Sequence, residues 1–424
     1  MKLSKLVMTL LAGCALAESA HAAAVTLHLY GSTAYRRASF IAIGNLYGAG
    51  VSSIVYDTGS AITTTTDRTQ ASPAFASTNI LWHGTISTGS LAGQSVDIYC
   101  NWAGSVGGVT SVADDTHPVY SVFIPADNIF GHFSSSAVDV AMADCFQDAT
   151  PVNASVTGFS ALNENIVAVL EFIWAKGNGS PAGMTNMPPY AARALLQNGQ
   201  VVMSQITGNT NDSTNIVYLT GRNDDSGTRI VTETDAGYPV GNALIQYTIT
   251  TATNYNYAGP AADGLGDGYA SGGSVSTALR ASRTPGSAVI VKDSHGVFTT
   301  NANNYFVGYI AVTDAAGNGS TTGGEGSNTL ATVTTGSSTV PLAQWMNYNG
   351  LPWSELSIRE GAYTMFGFEH CDFRNDASTT VQNFAADLIS KQQVEAGAAY
   401  IPGTMQLGDM KISRNDDGGP ITHN

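Results

Sequence analysis

Four short stretches of this chain combine hydroxyls, small residues and single charges in a way suited to holding an anion. They are Leu29-Tyr30-Gly31-Ser32-Thr33-Ala34, Gly104-Ser105-Val106-Gly107-Gly108-Val109, Val138-Asp139-Val140-Ala141-Met142-Ala143-Asp144 and Gly221-Arg222-Asn223-Asp224-Asp225-Ser226-Gly227-Thr228-Arg229. Each reads as an apolar strand, a turn of small residues and a helix start. The first turn of a helix leaves N–H donors without partners and carries partial positive charge. Small residues let the backbone come close to an oxyanion, and Ser or Thr hydroxyls add donors at little steric cost. Taken singly, each stretch has a plainer use. A Gly-Ser-Thr turn commonly caps a helix, and an Arg near an Asp is commonly a surface ion pair. Four such turns in one chain point to a shared oxyanion site.

The elements that must carry these turns alternate in type. Strands are expected over Val25–Tyr30, Val96–Cys100, Val138–Met142, Ile216–Leu219 and Tyr305–Val312. Helices are expected over Tyr35–Leu46, Ile166–Trp174, Ala191–Leu196 and Val381–Ile389. Alternation of this kind predicts an α/β fold. Two tracts, 58–90 and 254–273, read as loops or insertions, the second rich in Gly, Ala and Tyr, and 317–338 reads as a third flexible region of Gly, Thr and Ser.

Composition narrows the function classes. The 424 residues are 43% hydrophobic and only 12% charged, enough apolar material for one large or two ordinary cores. The formal net charge is −15, which gives no basic footprint for nucleic acid and disfavours an anionic membrane surface. A small anion remains possible if local donors, not the overall field, do the binding. Lys2 and Lys5, the apolar run Leu6 to Ala17 and Ala20-His21-Ala22 read as a secretory signal peptide over residues 1–22, with cleavage after Ala22. A lipobox-like Leu11-Ala12-Gly13-Cys14 offers a lipid anchor at Cys14 as the rival. Either places the mature chain in the periplasm or outside the cell. Cys100, Cys145 and Cys371 allow one disulfide and one free thiol, with the pair left open.

The four stretches, in their order, resemble the ligand loops of the phosphate-binding proteins of bacterial phosphate ABC transporters, which have the type 2 periplasmic-binding-protein fold. The most specific elements are Arg222 followed by Ser226-Gly227-Thr228, and Gly104-Ser105-x-Gly107-Gly108-Val109. Tyr305-Phe306-Val307-Gly308-Tyr309 resembles a strand of that family, and Gly361-Ala362-Tyr363 with Phe366-Gly367-Phe368 a return crossover. The resemblance implies two α/β lobes with a ligand cleft between them: residues 23–158 and 363–424 in one, 159–362 in the other. It implies that Thr33 and Ala34 donate from the first loop and Ser105 from the second. Asp144 would accept a ligand proton, and Arg222, backed by Asp224, would supply the cation. Ser226, Gly227 and Thr228 would donate at a helix start. It implies inorganic phosphate as ligand, an ABC permease as partner, no cofactor and no catalysis. The chain departs from the family pattern where Ala34-Tyr35-Arg36-Arg37 follows Thr33 and where Ala143 precedes Asp144. Arg36, Arg37 and Arg229 are additional cations nearby.

A carboxylate in an anion site works only if the anion brings a proton. Phosphate near neutrality carries one or two, so Asp144 can accept an O–H. Sulfate has none and would set two negative groups face to face. Other residue clusters point to less. Glu369-His370-Cys371-Asp372 holds metal-ligand types, but neighbours on a strand point to opposite faces. Asp263-Gly264-Leu265-Gly266-Asp267-Gly268 lacks the spacing of a calcium loop. No Ser and His stand at a diagnostic spacing, and His83, His117, His132 and His295 are isolated. Two other readings stay open. One is a binding protein of the same fold not tied to a permease: an extracellular phosphate scavenger, a receptor for phosphorylated ligands, or an adhesion or surface-layer component. The other is a secreted phosphoester hydrolase.

Overall fold

The computed structural model describes residues 24–59, 61–114, 121–124, 129–132, 138–251, 254–258, 268–280, 289–293, 297–301, 303–315, 332–335, 338–341, 344–398 and 403–424. The expected leader with Cys14, the Asp263–Asp267 turn, His117, His295 and most of the 317–338 tract lie outside them.

The fold is α/β, built on one large mixed sheet. Its main strands are β1 (Val25–Gly31), β2 (Val51–Asp57), β3 (Ile62–Thr65), β4 (Asn79–Thr85), β5 (Ser95–Asn101), β6 (Val140–Ala143), β7 (Ile166–Lys176), β8 (Gln200–Val202), β9 (Ile216–Thr220), β10 (Asn304–Ala311) and β11 (Phe366–Arg374). They run in the order β8-β9-β10-β7-β11-β6-β1-β5-β4-β2-β3. The order sorts the chain. Strands from 25–143 and 366–374 lie on one side, strands from 166–311 on the other, and the antiparallel β7–β11 pair joins them. β1 is parallel to both β5 and β6, and β9 is parallel to β10.

Helices cover these strands. Helix α1 (Arg36–Tyr47) follows β1, α2 (Ser105–Ala113) follows β5 and α3 (Pro189–Asn198) precedes β8. Helix α4 (Gly227–Asp235) follows β9, α5 (Gly272–Arg280) precedes β10, the single-turn α6 (Val312–Ala315) follows it, and α7 (Thr379–Glu395) follows β11. α1 and α7 pack together, tied by Tyr35 Oη to the Gln392 carbonyl (2.8 Å) and Gln392 Nε2 to Ser39 Oγ (2.9 Å). The large core under them includes Phe40, Trp82, Ile98, Met142 and Phe384. A smaller cluster of Val109, Val112, Val138, Ala141 and Leu162 seats α2 on the opposite face.

Three expectations are corrected here. Ile166–Trp174 is not a helix but most of strand β7. Its run IVAVLEFIWAK is buried from Val167 onward, because sheet neighbours flank it and other elements cover it. A run apolar on every side fits a central strand and a buried helix equally well. The 58–90 tract is not a loop; it holds β3 and β4, paired with β2. The third concerns sulfur: Cys100, Cys145 and Cys371 are all buried free thiols. Cys371 stands opposite Met142 in the β11–β6 ladder, so the ladder does not pair it with Cys145.

Candidate functional site

The four turns all leave the carboxyl ends of strands, where open α/β sheets bind their ligands. Thr33 follows β1, Ser105 opens α2 after β5, Asp144 follows β6, and Arg222 follows β9. Glycine lets them crowd together. At Gly31 (φ 149°) a Cβ would fall 1.9 Å from the Met142 carbonyl oxygen, so the first loop runs directly against β6. The Gly104 amide donates to the Gly31 carbonyl (3.0 Å). The second loop in turn touches the fourth, with the Val106 amide donating to the Asp225 carbonyl (2.9 Å).

Asp144 sits where these turns meet. It is 2% exposed. Ser105 Oγ donates to its Oδ1 through a short contact and accepts its N–H at 3.2 Å. Thr228 Oγ1, from the other side of the β7–β11 junction, donates to Oδ2 at 3.1 Å. Gly227 leaves no spare room, since a Cβ there would lie 1.7 Å from Asp144 Oδ1 and 2.9 Å from Ser105 Cβ. Burial raises the Asp144 carboxyl above its usual range, and the Ser105 hydroxyl, the Arg222 charge and the Thr228 hydroxyl pull it back.

Arg222 is also 2% exposed. Its Nε donates to the Tyr269 carbonyl (3.2 Å), and its Nη2 to the Ala270 carbonyl (3.1 Å) and to Thr33 Oγ1 (3.4 Å). Its backbone is fixed by Tyr309 Oη, which accepts the amide at 3.2 Å, and by Gln246 Nε2, which donates to the carbonyl at 2.9 Å. The guanidinium fork is thus held by neutral oxygens. Burial weakens its basicity, and the carboxylates that restore it are, strongest first, Asp314, Asp144 and Asp225.

Thr33, Ser105, Asp144, Arg222, Gly227 and Thr228 therefore converge. Ala34 is buried beside Thr33 at the start of α1. Ser226 caps α4, accepting from the Arg229 amide (3.3 Å). Asp224 is exposed on the turn, and Asp314 is the carboxylate that acts on the guanidinium most strongly. Of the additional cations, Arg229 is committed to Glu233 (2.8 Å) and Arg37 lies over the Phe75 ring (4.6 Å). Arg36 is different. Its Nη1 donates to the Ser77 carbonyl (3.2 Å), and its charge interacts with Asp314, Asp57 and Arg222.

Sequence reading missed Asp314, Gln246 and the Tyr269 and Ala270 carbonyls. Gln246 and the two carbonyls had no local signal, and Asp314 sits in an unremarkable Val-Thr-Asp-Ala turn. Tyr309 lay in a strand already singled out. Among the described residues no group of three or more His, Cys, Asp or Glu side chains could hold a metal ion. No helix among them is long and apolar enough to cross a membrane.

No protein-family model matches this chain, and no curated protein matches it. Among solved structures it superposes on a Clostridium perfringens protein crystallised with bound phosphate, at 10% identity and TM-score 0.44, covering 90% of this chain and 99% of that one. It also superposes on an ABC-type phosphate transport receptor from Vibrio cholerae, at 12% identity and TM-score 0.40, with the same coverages. A third is PstS from Borrelia burgdorferi, at 10% identity and TM-score 0.37, covering 90% and 98%. The reading below rests on the residues of this chain alone.

Proposed function

We propose that this chain is a binding protein that closes around inorganic phosphate. One observation carries the reading: a buried guanidinium held by neutral oxygens faces a buried carboxylate held by hydroxyls from two distant turns. A tetrahedral, protonated oxyanion satisfies both at once. Its charged oxygens would take the Arg222 fork, the Thr33 hydroxyl and the helix-start amides at Ala34, Gly227 and Thr228, while its O–H would go to Asp144. Binding without turnover fits this set, because each of its groups is a donor, a cation or a proton acceptor. The strand order supports a division into two lobes, residues 23–158 with 363–424 and residues 159–362, with the anion held between them. Residues 1–22, which read as a signal peptide, support export, and the resemblance of the four loop sequences to those of phosphate-binding proteins supports delivery to an ABC permease.

Isothermal titration of the mature chain with phosphate, sulfate and a phosphomonoester tests this. Phosphate should bind, sulfate should bind far more weakly, and the ester should release no phosphate. Arg222→Ala should weaken phosphate by about two orders of magnitude, as expected for loss of a buried charge-assisted contact of about 2–5 kcal/mol. No phosphate binding by the intact protein, or steady release of phosphate from the ester, would sink the reading.

A further inference from the structure

We propose that Asp225 is a positioning residue that latches the arginine turn onto helix α2, seated in a socket formed by Gly104, Gly107 and Tyr30. This rests on the phosphate reading above for its ligand, and deepens it by naming what holds the two sides of the site together. Helix α2 begins without the usual means of satisfying its first turn. Its N-cap is Gly104, which has no side chain to offer, and its own first turn holds no acidic residue. Asp225 supplies both functions from the far side of the β7–β11 junction, where it lies between β9 and α4. Its carbonyl accepts the Val106 amide at 2.9 Å. Its carboxylate lies beside the same turn: a Cβ on Gly107 would stand 3.4 Å from Asp225 Oδ1 and 3.3 Å from Tyr30 Oη. Negative charge at that end of a helix is stabilising.

The socket exists because two side chains are missing from it. A Cβ on Gly104 would come 2.3 Å from the Asp225 carbonyl oxygen and 2.9 Å from the Asp225 Cβ. Tyr30, at the end of β1, forms the wall. Its carbonyl oxygen would stand 2.7 Å from a Cβ on Gly108, so it is packed directly against α2. Burial, and then the Asp225 charge, raises the Tyr30 hydroxyl to about 12, which keeps it a donor. Arg222 precedes Asp225 on the same turn, and Ser226-Gly227-Thr228 follow it directly. Seating Asp225 therefore sets how closely all of these approach Thr33, Ser105 and Asp144. Charge by itself would act in the other direction, since a carboxylate near an anion site repels the anion. A latch and a bystander carboxylate thus predict opposite signs when Asp225 is removed.

The test is titration with inorganic phosphate, with stopped-flow rates, on the full mature chain, on Asp225→Ala, on Tyr30→Phe and on the double variant, together with small-angle scattering of each protein without ligand. Asp225→Ala should weaken phosphate by about tenfold, the scale of one lost hydrogen bond to a charged group. The loss should lie in faster release, with the binding rate near that of the unmodified protein. Tyr30→Phe changes no charge and should weaken phosphate in the same direction. The double variant should lose less than the two single losses combined, as expected of residues in contact. Without ligand, Asp225→Ala should have a larger radius of gyration than the unmodified protein. Should Asp225→Ala fail to fold by circular dichroism, Asp225→Ser carries the same expectations. Unchanged or tighter phosphate binding in the Asp225 variant would overturn the latch and leave the phosphate reading standing. If the unmodified protein binds no phosphate, the phosphate reading itself falls, and scattering of the ligand-free proteins decides the latch: equal radii overturn it.

Discussion

Taking a guanidinium and carboxylates out of water is costly, and attraction between them compensates only when hydrogen bonds satisfy what remains. Arg222 and Asp144 meet this condition through carbonyls and hydroxyls contributed by four separate segments. Asp417 shows the same physics away from the ligand. Its side chain is wholly buried, accepts the Phe146 amide at 2.8 Å, and lies 4.0 Å from Arg414 Nη2. Burial lifts its carboxyl to about 7 against the pull of Arg414 and the Phe146 amide. An unfolded Asp titrates near 3.9. Between those values the folded chain binds the proton that the unfolded chain has lost. Stability therefore falls as pH rises from about 4 to about 7 through this group. Asp417→Asn removes that titration and should flatten the slope by up to one proton, about 1.4 kcal/mol per pH unit. Urea midpoints at pH 5, 6, 7 and 8 would show it, and an unchanged slope would rule it out. At this scale the sequence was legible where chemistry and local shape coincide. Thr33, Ser105, Asp144 and Arg222 each sit at a strand end beside small residues. Asp314 has no such surroundings, and only the tertiary fold brings it near Arg222.

Elements were legible to the extent that their periodicity was one-sided. α1, β1 and β5 formed close to the expected bounds, and α7 where expected but continuing to Glu395. β7 defeated the pattern because burial on all sides erases periodicity. β3 did so for the opposite reason, since its Thr-rich edge carries almost no apolar signal. The glycines at element junctions separate two kinds of role. Gly31 passes within its own half of the sheet, against the Met142 carbonyl; Gly227 faces Asp144 and Ser105 across the junction. Gly31→Ala should therefore destabilise the fold itself, because backbone must shift and φ lies where L residues are strained. Gly227→Ala should leave the melting temperature near that of the unmodified protein, yet weaken phosphate by about a hundredfold or more, since a closed geometry misplaced by an ångström or so loses interactions of several kcal/mol. Calorimetry for both variants, with and without phosphate, separates these outcomes. Loss of stability in Gly227→Ala with unchanged affinity would contradict the assignment.

The whole molecule carries a net charge of −15 and is proposed to bind an anion, so its overall field opposes the ligand and the local dipoles must overcome it. That favours a site which closes, because expelling water strengthens every contact inside. Among the described residues, the hydrogen bonds that tie the turns of the site together across the junction include the Val106 amide on the Asp225 carbonyl, Thr228 Oγ1 on Asp144, and Arg222 Nη2 on Thr33. Each is a single hydrogen bond, worth about 0.5–1.5 kcal/mol net, or up to about 3 when one partner is charged. Bonds of this size would by themselves hold the turns together only marginally, so on the proposed reading open forms of the site are expected in the empty protein. On the proposed reading, phosphate reaching Thr33, Ser105 and Asp144 on one side and Arg222 and Thr228 on the other would bind the closed form selectively and draw the population there. Two consequences are measurable on one sample. At a phosphate concentration a hundred times the dissociation constant, stability should rise by about 2.7 kcal/mol. Small-angle scattering should show the radius of gyration fall over the same titration. Arg222→Ala should show neither change at that concentration. A rise in stability with no contraction would mean that the site is already closed when empty, and that the bridging hydrogen bonds outweigh the entropy of opening.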